Sequence, residues 1–442
     1  MDDLDKITIE AYINQNWIDI ASIEFSNSYE LSRVNYNFDY ALDNLDLCDN
    51  HAVSINYPIQ LFPYDPAKDN YFLDDLIPSG ASRRFWVQHL DIRSLSYKAQ
   101  NFILLKYATV APIGNLRVQE SIDNQLENKE IFFKLSDVAE RSSDFLDYAN
   151  EKGGVAGGAT GAGGEAPKLL LRYADDDHIW IDYYQDYSYR PNDLAYLVKY
   201  PRGKRSNDDC DILRTEYHYY HELESLGFET IETATMKLIE NSNQIPSLWL
   251  PRFDILHSNG ITYKPSVQSV YSILNMGPGA SLHNEKMIRD LLQIFETSHI
   301  EPLFTQEEFI TEWINRDLLN VIFGNSDNHG RNTAFMLFNN QIKFAPIYDF
   351  APMKADPEGI PRTAKWSAQY EQGGDFDYIG IIESFSDLAD TNMIIENIKT
   401  TATKLVGLKE RLSNRGVPER ILNMNTFGFD FIPEKLAKWG LL

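Results

Sequence analysis

Cysteine is scarce: only Cys48 and Cys210 occur in 442 residues, and they form no CxxC pair. A disulfide framework is therefore excluded, and the reading is of reduced thiols without a catalytic role in a cytoplasmic protein. Long apolar runs are also lacking. No stretch approaches the ~18 uncharged apolar residues of a membrane span. The opening residues, Met1 to Lys6, have neither the basic start nor the apolar run of a secretory signal. Positive charge is in deficit, with 40 Lys+Arg against 65 Asp+Glu and a net charge of −25. A field of that sign repels phosphate backbones, so direct nucleic-acid binding is not expected and DNA contact would run through a basic partner. Acidic charge also simply keeps a cytosolic protein soluble.

What is present is ordinary globular composition, 43% apolar and 24% charged, in a chain long enough for a large core and two or three domains. Alternating runs from Ile7 to Tyr12 and from Asn16 to Ile20 read as strands, and Tyr97 to Tyr107 as a helix. Ser136 to Lys152 reads as a helical link. It ends at GGVAGGATGAGG, residues 153–164, which only a loop can hold. Strands are expected at Lys168 to Tyr173, Leu194 to Tyr200 and Leu248 to Leu256. Helices are expected at Cys210 to Leu226, closed by Gly227, at Glu308 to Ile322, and as one long element at Thr391 to Leu412. Strands with one helix followed by a mostly helical remainder define an α+β, two-lobed arrangement.

The glycine-rich segment can expose backbone N–H groups to phosphates. It lacks the Gly-Lys-Ser/Thr of a phosphate-loop NTPase. Gly161, Gly163 and Ala166 fit a loose dinucleotide fingerprint, but Pro167 and a strand follow where that turn requires a helix. Glycines leading into a strand are how protein kinases cover ATP.

Lys199 ends the run Ala195-Tyr196-Leu197-Val198-Lys199, similar in character to the kinase V-A-I-K strand, and Glu216 follows seventeen residues later on a helix, placed to pair with it. Within Gly324 to Asn332, Asp327 and Asn332 have the D-x-x-x-x-N spacing of a kinase catalytic loop. An aspartate there can accept the proton of an attacking hydroxyl, and the asparagine can offer an uncharged oxygen to Mg²⁺. Seventeen residues on, Asp349-Phe350 stands where a D-F-G aspartate would hold metal. Singly, such clusters also suit plain turns. Their succession in kinase order is what points to phosphoryl transfer.

This succession resembles the HipA-type toxin kinases of bacterial toxin–antitoxin pairs. The resemblance runs from about Gly158 to Phe350 and rests on Gly163-Gly164-Glu165-Ala166-Pro167-Lys168, Pro251-Arg252-Phe253-Asp254, Ser326-Asp327-Asn328-His329 with Asn332, and Tyr348-Asp349. It implies a protein-kinase-like fold with an N-terminal α/β subdomain (1–145), an ATP-binding lobe (146–255) and a helical catalytic lobe (256–442). It further implies ATP and Mg²⁺ as cofactors and serine/threonine kinase activity on a protein, an aminoacyl-tRNA synthetase in the family's pattern. Asp327 would be the catalytic base and Asn332 and Asp349 the metal ligands. Gly161, Ala162, Gly163, Gly164, Lys199 and Glu216 would serve the nucleotide, with Phe253 meeting adenine through its backbone and Asp254 approaching the ribose. A HipB-like DNA-binding antitoxin is the implied partner.

One departure is Gly161, which stands where family members carry an autophosphorylated loop serine; either Thr160 beside it takes that role or the chain lacks the switch. His329 lies two residues after the aspartate, whereas aminoglycoside kinases place it two before, which favours the HipA-like order; a hydrogen-bonding role in the loop is expected of it. A small-molecule phosphotransferase and a pseudokinase-like binding module are the alternatives.

Overall fold

The computed structural model describes residues 5–67, 71–109, 112–123, 132–141, 167–174, 177–181, 190–202, 205–258, 260–298 and 300–442. The glycine-rich segment, with Thr160, Gly161, Ala162, Gly163 and Gly164, lies outside the described residues.

The chain begins as an antiparallel sheet of β1 (Asp5–Ile13), β2 (Asn16–Phe25), β3 (Leu31–Tyr36) and β4 (Leu116–Val118), ordered β3-β2-β1-β4. Ile7, Ile9, Ile20, Ile23 and Val34 are fully buried, and helix α1 (Tyr97–Tyr107) adds Phe102, Leu104 and Leu105 to the same core. Ser96 caps this helix by accepting the Ala99 amide.

A six-stranded sheet forms the second unit: β5 (Phe133–Lys134), β6 (Lys168–Tyr173), β7 (His178–Trp180), β8 (Leu194–Lys199), β9 (Lys237–Glu240) and β10 (Pro246–Pro251), ordered β5-β7-β6-β8-β10-β9. β5 belongs to this sheet, and Val138 of helix α2 (Leu135–Glu140) packs in its core, so the lobe begins before the expected boundary at 145. Of the expected link Ser136 to Lys152, only the part up to Arg141 is described, and that helix ends at Glu140. Helix α3 (Asn207–Leu226) packs against β10. It opens on a reciprocal Ser206–Asp209 capping box and closes on Gly227 at φ +93°. The run Leu248 to Leu256 is not one strand: β10 stops at Pro251, and Leu256–Ser258 pairs instead with Ile261–Tyr263. Pro251 lacks the N–H needed to continue a ladder.

The remainder is not helical throughout. A second four-stranded sheet, ordered β11-β13-β14-β12, is built from β11 (Ser266–Ser269), β12 (Glu301–Pro302), β13 (Ala334–Phe338) and β14 (Gln341–Phe344). It stands beside helix α5 (Gln306–Phe323), which follows the short α4 (Val270–Ile273) in the chain. The expected helix Thr391 to Leu412 is two, α6 (Thr391–Leu405) and α7 (Leu408–Arg415). Gly407 between them sits at φ +76°, a left-handed conformation that ends a right-handed helix. Among the described residues no helix is long and apolar enough to cross a membrane.

Candidate active site

The six-stranded sheet sets two lysines side by side. Antiparallel pairing of β6 with β8 puts Lys168 directly opposite Lys199. Like charges at opposed positions are unfavourable unless anions separate them. Two do: Lys199 Nζ donates to Glu216 Oε1 at 2.7 Å and also pairs with Asp349 Oδ1, while Lys168 Nζ lies 3.7 Å from Asp349 Oδ2. Glu216 comes from α3, on the buried stripe that includes Leu213, Tyr220 and Leu223. The Tyr220 hydroxyl also donates to Glu216 Oε1 at 3.1 Å and accepts the Phe350 amide at 3.3 Å. Lys199 and Glu216 thus meet as their spacing predicts.

Asp349 reaches this hub because the chain before it is pinned. The Ile347 amide donates to the Glu229 carbonyl at 2.9 Å, and the Ile347 carbonyl accepts the Ile231 amide and the Thr230 hydroxyl. Phe350 then packs between Tyr219 and Phe323. Asp349 itself has φ +52°, uncommon for a non-glycine residue and a mark of constraint at sites of this kind.

The second group of residues follows α5. That helix ends at Gly324, φ +70°, where a Cβ would meet the Phe427 ring at 2.5 Å, so only glycine fits. In the loop, Asn332 Nδ2 donates to the Asp327 carbonyl at 2.5 Å, and Asn328 bridges to the Thr363 amide and the Ala364 carbonyl. His329 Nδ1 accepts the Arg331 amide at 3.2 Å, so in the neutral ring Nε2 carries the proton, 3.5 Å from Asp327 Oδ1. The ring also stacks on Tyr271.

The two aspartates are poised differently. Burial would raise Asp349, but Lys168 and Lys199 outweigh it and hold the carboxyl well below the usual carboxylate range. Burial raises Asp327, and Asp349 adds to this, against the pull of His329, Arg202 and Lys168. Lys168 is lowered by burial to about 8 despite Asp349, whereas Lys199, which burial alone would also lower, is held above its ordinary value by Asp349 and Glu216.

Between the lobes lies a largely apolar cleft whose lining includes Ile113, Leu197, Ile231, Leu250, Phe253 and Tyr348, with Lys168, Lys199 and Asp349 at its polar end. Phe253 stacks on Tyr348 with ring centroids 5.4 Å apart, and its backbone groups make no hydrogen bond among the described residues. Asp254, expected near the ribose, is also among the residues lining this cleft. It is fully buried, with its carboxylate committed to Arg252 at 2.5 and 2.9 Å, to the Gly114 amide at 2.9 Å and to Lys264 at 3.5 Å. Burial would raise it, but Arg252 and Lys264 bring it down to about 2. It braces the interlobe segment that follows β10 against the N-terminal domain.

Asn332 and Asp349 suit a hard cation. Asn332 Oδ1 is buried without a hydrogen-bond partner among the described residues, an acceptor left open while its amide is fixed. Amide and carboxylate oxygens are the donors Mg²⁺ prefers, and that ion takes only one or two from protein beside phosphate and water. No group of three or more His, Cys, Asp or Glu side chains that could hold a metal occurs among the described residues.

Lys168 is the residue that sequence reasoning quoted but gave no role. Its Nζ is buried and makes no hydrogen bond among the described residues. The signal was the Pro-Lys that opens β6, but its meaning depends on pairing with Lys199. Cys48 and Cys210 are buried free thiols outside this site.

A two-lobed, protein-kinase-like α+β fold with paired lysines above and an Asp–Asn loop below the cleft is the class this arrangement defines. The chain belongs to the HipA-like C-terminal domain family, whose model matches residues 160–406. Over 98% of its length it is similar to HipA from the Shewanella oneidensis MR-1 toxin–antitoxin complex of HipA, HipB and operator DNA, covering 96% of that chain with a TM-score of 0.67 at 14% identity. A weaker likeness, TM-score 0.40 at 13% identity, links 63% of the chain to 92% of the Helicobacter pylori proinflammatory kinase CtkA. No match was found among curated proteins.

Proposed function

We propose that this chain is an ATP- and Mg²⁺-dependent serine/threonine protein kinase of the HipA type, acting as the toxin of a toxin–antitoxin pair. The observation that carries the reading is the ion-pair hub in which Lys199 joins Glu216 and Asp349, the latter 150 residues away, at the polar end of an apolar interlobe cleft. A binding module has no need of that hub together with Asp327 and Asn332.

In this reading adenine enters against Phe253 and Ile231, and the phosphates extend toward Lys199 and Lys168; the glycines of residues 157–164, outside the described residues, are assigned to the phosphates. Glu216 holds the Lys199 ammonium in place. Asn332 and Asp349 would hold Mg²⁺, which would supply neutralisation of phosphate charge. Asp327 orients the acceptor hydroxyl; as its oxygen bonds to the γ-phosphorus and the bond to the β,γ-bridging oxygen breaks, the proton passes to the Asp327 carboxylate. A carboxylate raised above its ordinary value is the better base for that step. Thr160 is the residue assigned to self-phosphorylation, which would place charge in the loop meant for the triphosphate. A basic, HipB-like partner would supply the DNA contact that a chain of net charge −25 disfavours.

Thermal unfolding with and without Mg·ATP tests the nucleotide site. Binding to the native state alone should stabilise it by about 2.7 kcal/mol at a hundredfold excess over Kd. An unchanged melting temperature at millimolar Mg·ATP would sink the reading.

A further inference from the structure

The N-terminal domain has no part in the chemistry above, yet one of its turns is built into the catalytic loop. The turn Leu73–Asp75 is held in the N-terminal core by Phe72, Leu73, Leu76 and Ile77, all buried. Its two acidic residues reach across to the catalytic lobe by two routes. In the first, the Asp74 carbonyl accepts Arg331 Nη2 at 3.0 Å, and Asp75 Oδ1 lies 4.0 Å from Arg331 Nε. In the second, Asp75 accepts both the amide and the hydroxyl of Ser269, at 2.9 and 2.8 Å. Ser269 caps α4, whose Val270 and Tyr271 amides donate to the carbonyls of Thr333 and Gly330 in the loop. There is little slack here, since a Cβ on Gly330 would stand 2.7 Å from the Tyr271 ring.

Arg331 is where the routes meet the site. It is 8% exposed and immediately precedes Asn332. Its carbonyl accepts the Tyr348 hydroxyl at 2.6 Å, and Tyr348 immediately precedes Asp349. One residue therefore touches the backbone neighbourhoods of both metal-ligand candidates while its side chain is held by another domain. A buried arginine is costly to retain unless its partners are fixed, and here the partners come from the turn.

We propose that the Asp74–Asp75 turn and Arg331 are positioning elements for phosphoryl transfer, through which the N-terminal domain fixes Asn332 and Asp349 relative to each other. This rests on the kinase reading above. Groups that orient metal ligands typically cost about 10–100-fold in metal affinity or activity when removed.

The test is steady-state release or transfer of the ATP γ-phosphate by the full chain across a Mg²⁺ titration. Arg331→Met should lower kcat or raise the half-saturating Mg²⁺ concentration by about 10–100-fold. ATP binding measured without Mg²⁺ should stay within about twofold, because no phosphate or adenine contact is lost. Arg331→Lys should restore part of the loss. Should Arg331→Met fail to fold, Asp75→Asn carries the same test, since it keeps one acceptor for Ser269 while removing the charge beside Arg331. Wild-type kcat and Mg²⁺ dependence in these variants would overturn the proposal, as would a loss that merely follows the folded fraction. If the wild-type chain itself shows no Mg·ATP turnover above that of Asp327→Asn, the kinase reading fails and this inference falls with it.

Discussion

Asp349 and Asp327 occupy two settings, the sheet-borne hub and the loop after α5. Asp349 faces two buried ammonium groups and stays ionised far below the ordinary carboxylate range. Asp327 has His329 Nε2 at 3.5 Å and is pushed upward by burial, with Asp349 adding to this against the pull of His329, Arg202 and Lys168. Strong charge pairing makes a fixed anion, suited to holding a cation, whereas weak pairing makes a proton acceptor. In the proposed kinase reading, two residues of one type thus take two roles from their neighbours.

Substitutions should separate these settings. The largest effect is expected for Asp349→Asn, which removes the charge proposed to face the metal and leaves Lys168 without its ion-pair partner and Lys199 with Glu216. Mg²⁺-dependent nucleotide binding and turnover should both collapse, and calorimetry that finds Mg·ATP affinity unchanged would contradict this. Lys199→Met follows, because it strands Glu216 in a buried setting. Losing one partner of a buried pair costs about 3–5 kcal/mol, readable as a lower urea midpoint.

Lys168→Met should behave otherwise. It loses an ion pair at 3.7 Å without a hydrogen bond, and Asp349 keeps Lys199, so stability should fall less than in Lys199→Met, while losing a proposed phosphate contact should weaken ATP binding about 10- to 100-fold. Equal destabilisation by both lysine variants would erase the distinction between them.

These residues also mark what the sequence made legible. Lys199 with Glu216, and Asp327 with Asn332, were readable because each pair sits on contiguous or regularly spaced chain. Lys168 was not, because its part follows from strand register rather than spacing. The partners of Asp254 were not legible for a similar reason: Gly114 and Lys264, which engage its carboxylate, come from distant chain. The second sheet was missed because its strands are only two to five residues long, too short for alternation to declare itself. Thr391 to Leu412 was read as one helix because the apolar periodicity runs across the break, and Gly407 was the single cue against it.

The smallest effect concerns pH. His218, on the helix that carries Glu216, is lowered to about 4 by burial, with His221 and Arg415 adding to it. A histidine whose folded value lies below its ordinary 6.5 takes up protons preferentially when unfolded. Stability should therefore be full above pH 6.5 and decline as pH falls toward 4. His218→Gln should flatten that decline without altering turnover at pH 7.5, and an unchanged acid profile would remove His218 from the account.

Transfer of labelled γ-phosphate from Mg·ATP to protein by the wild-type chain and by Asp327→Asn, each at a nucleotide concentration shown to saturate it, tests the central claim most directly. The wild-type chain should label protein, and Asp327→Asn should bind nucleotide comparably while transferring roughly 10²–10⁴-fold more slowly. Equal labelling by both would show that Asp327 is not the base, and no labelling by either would contradict the kinase assignment itself.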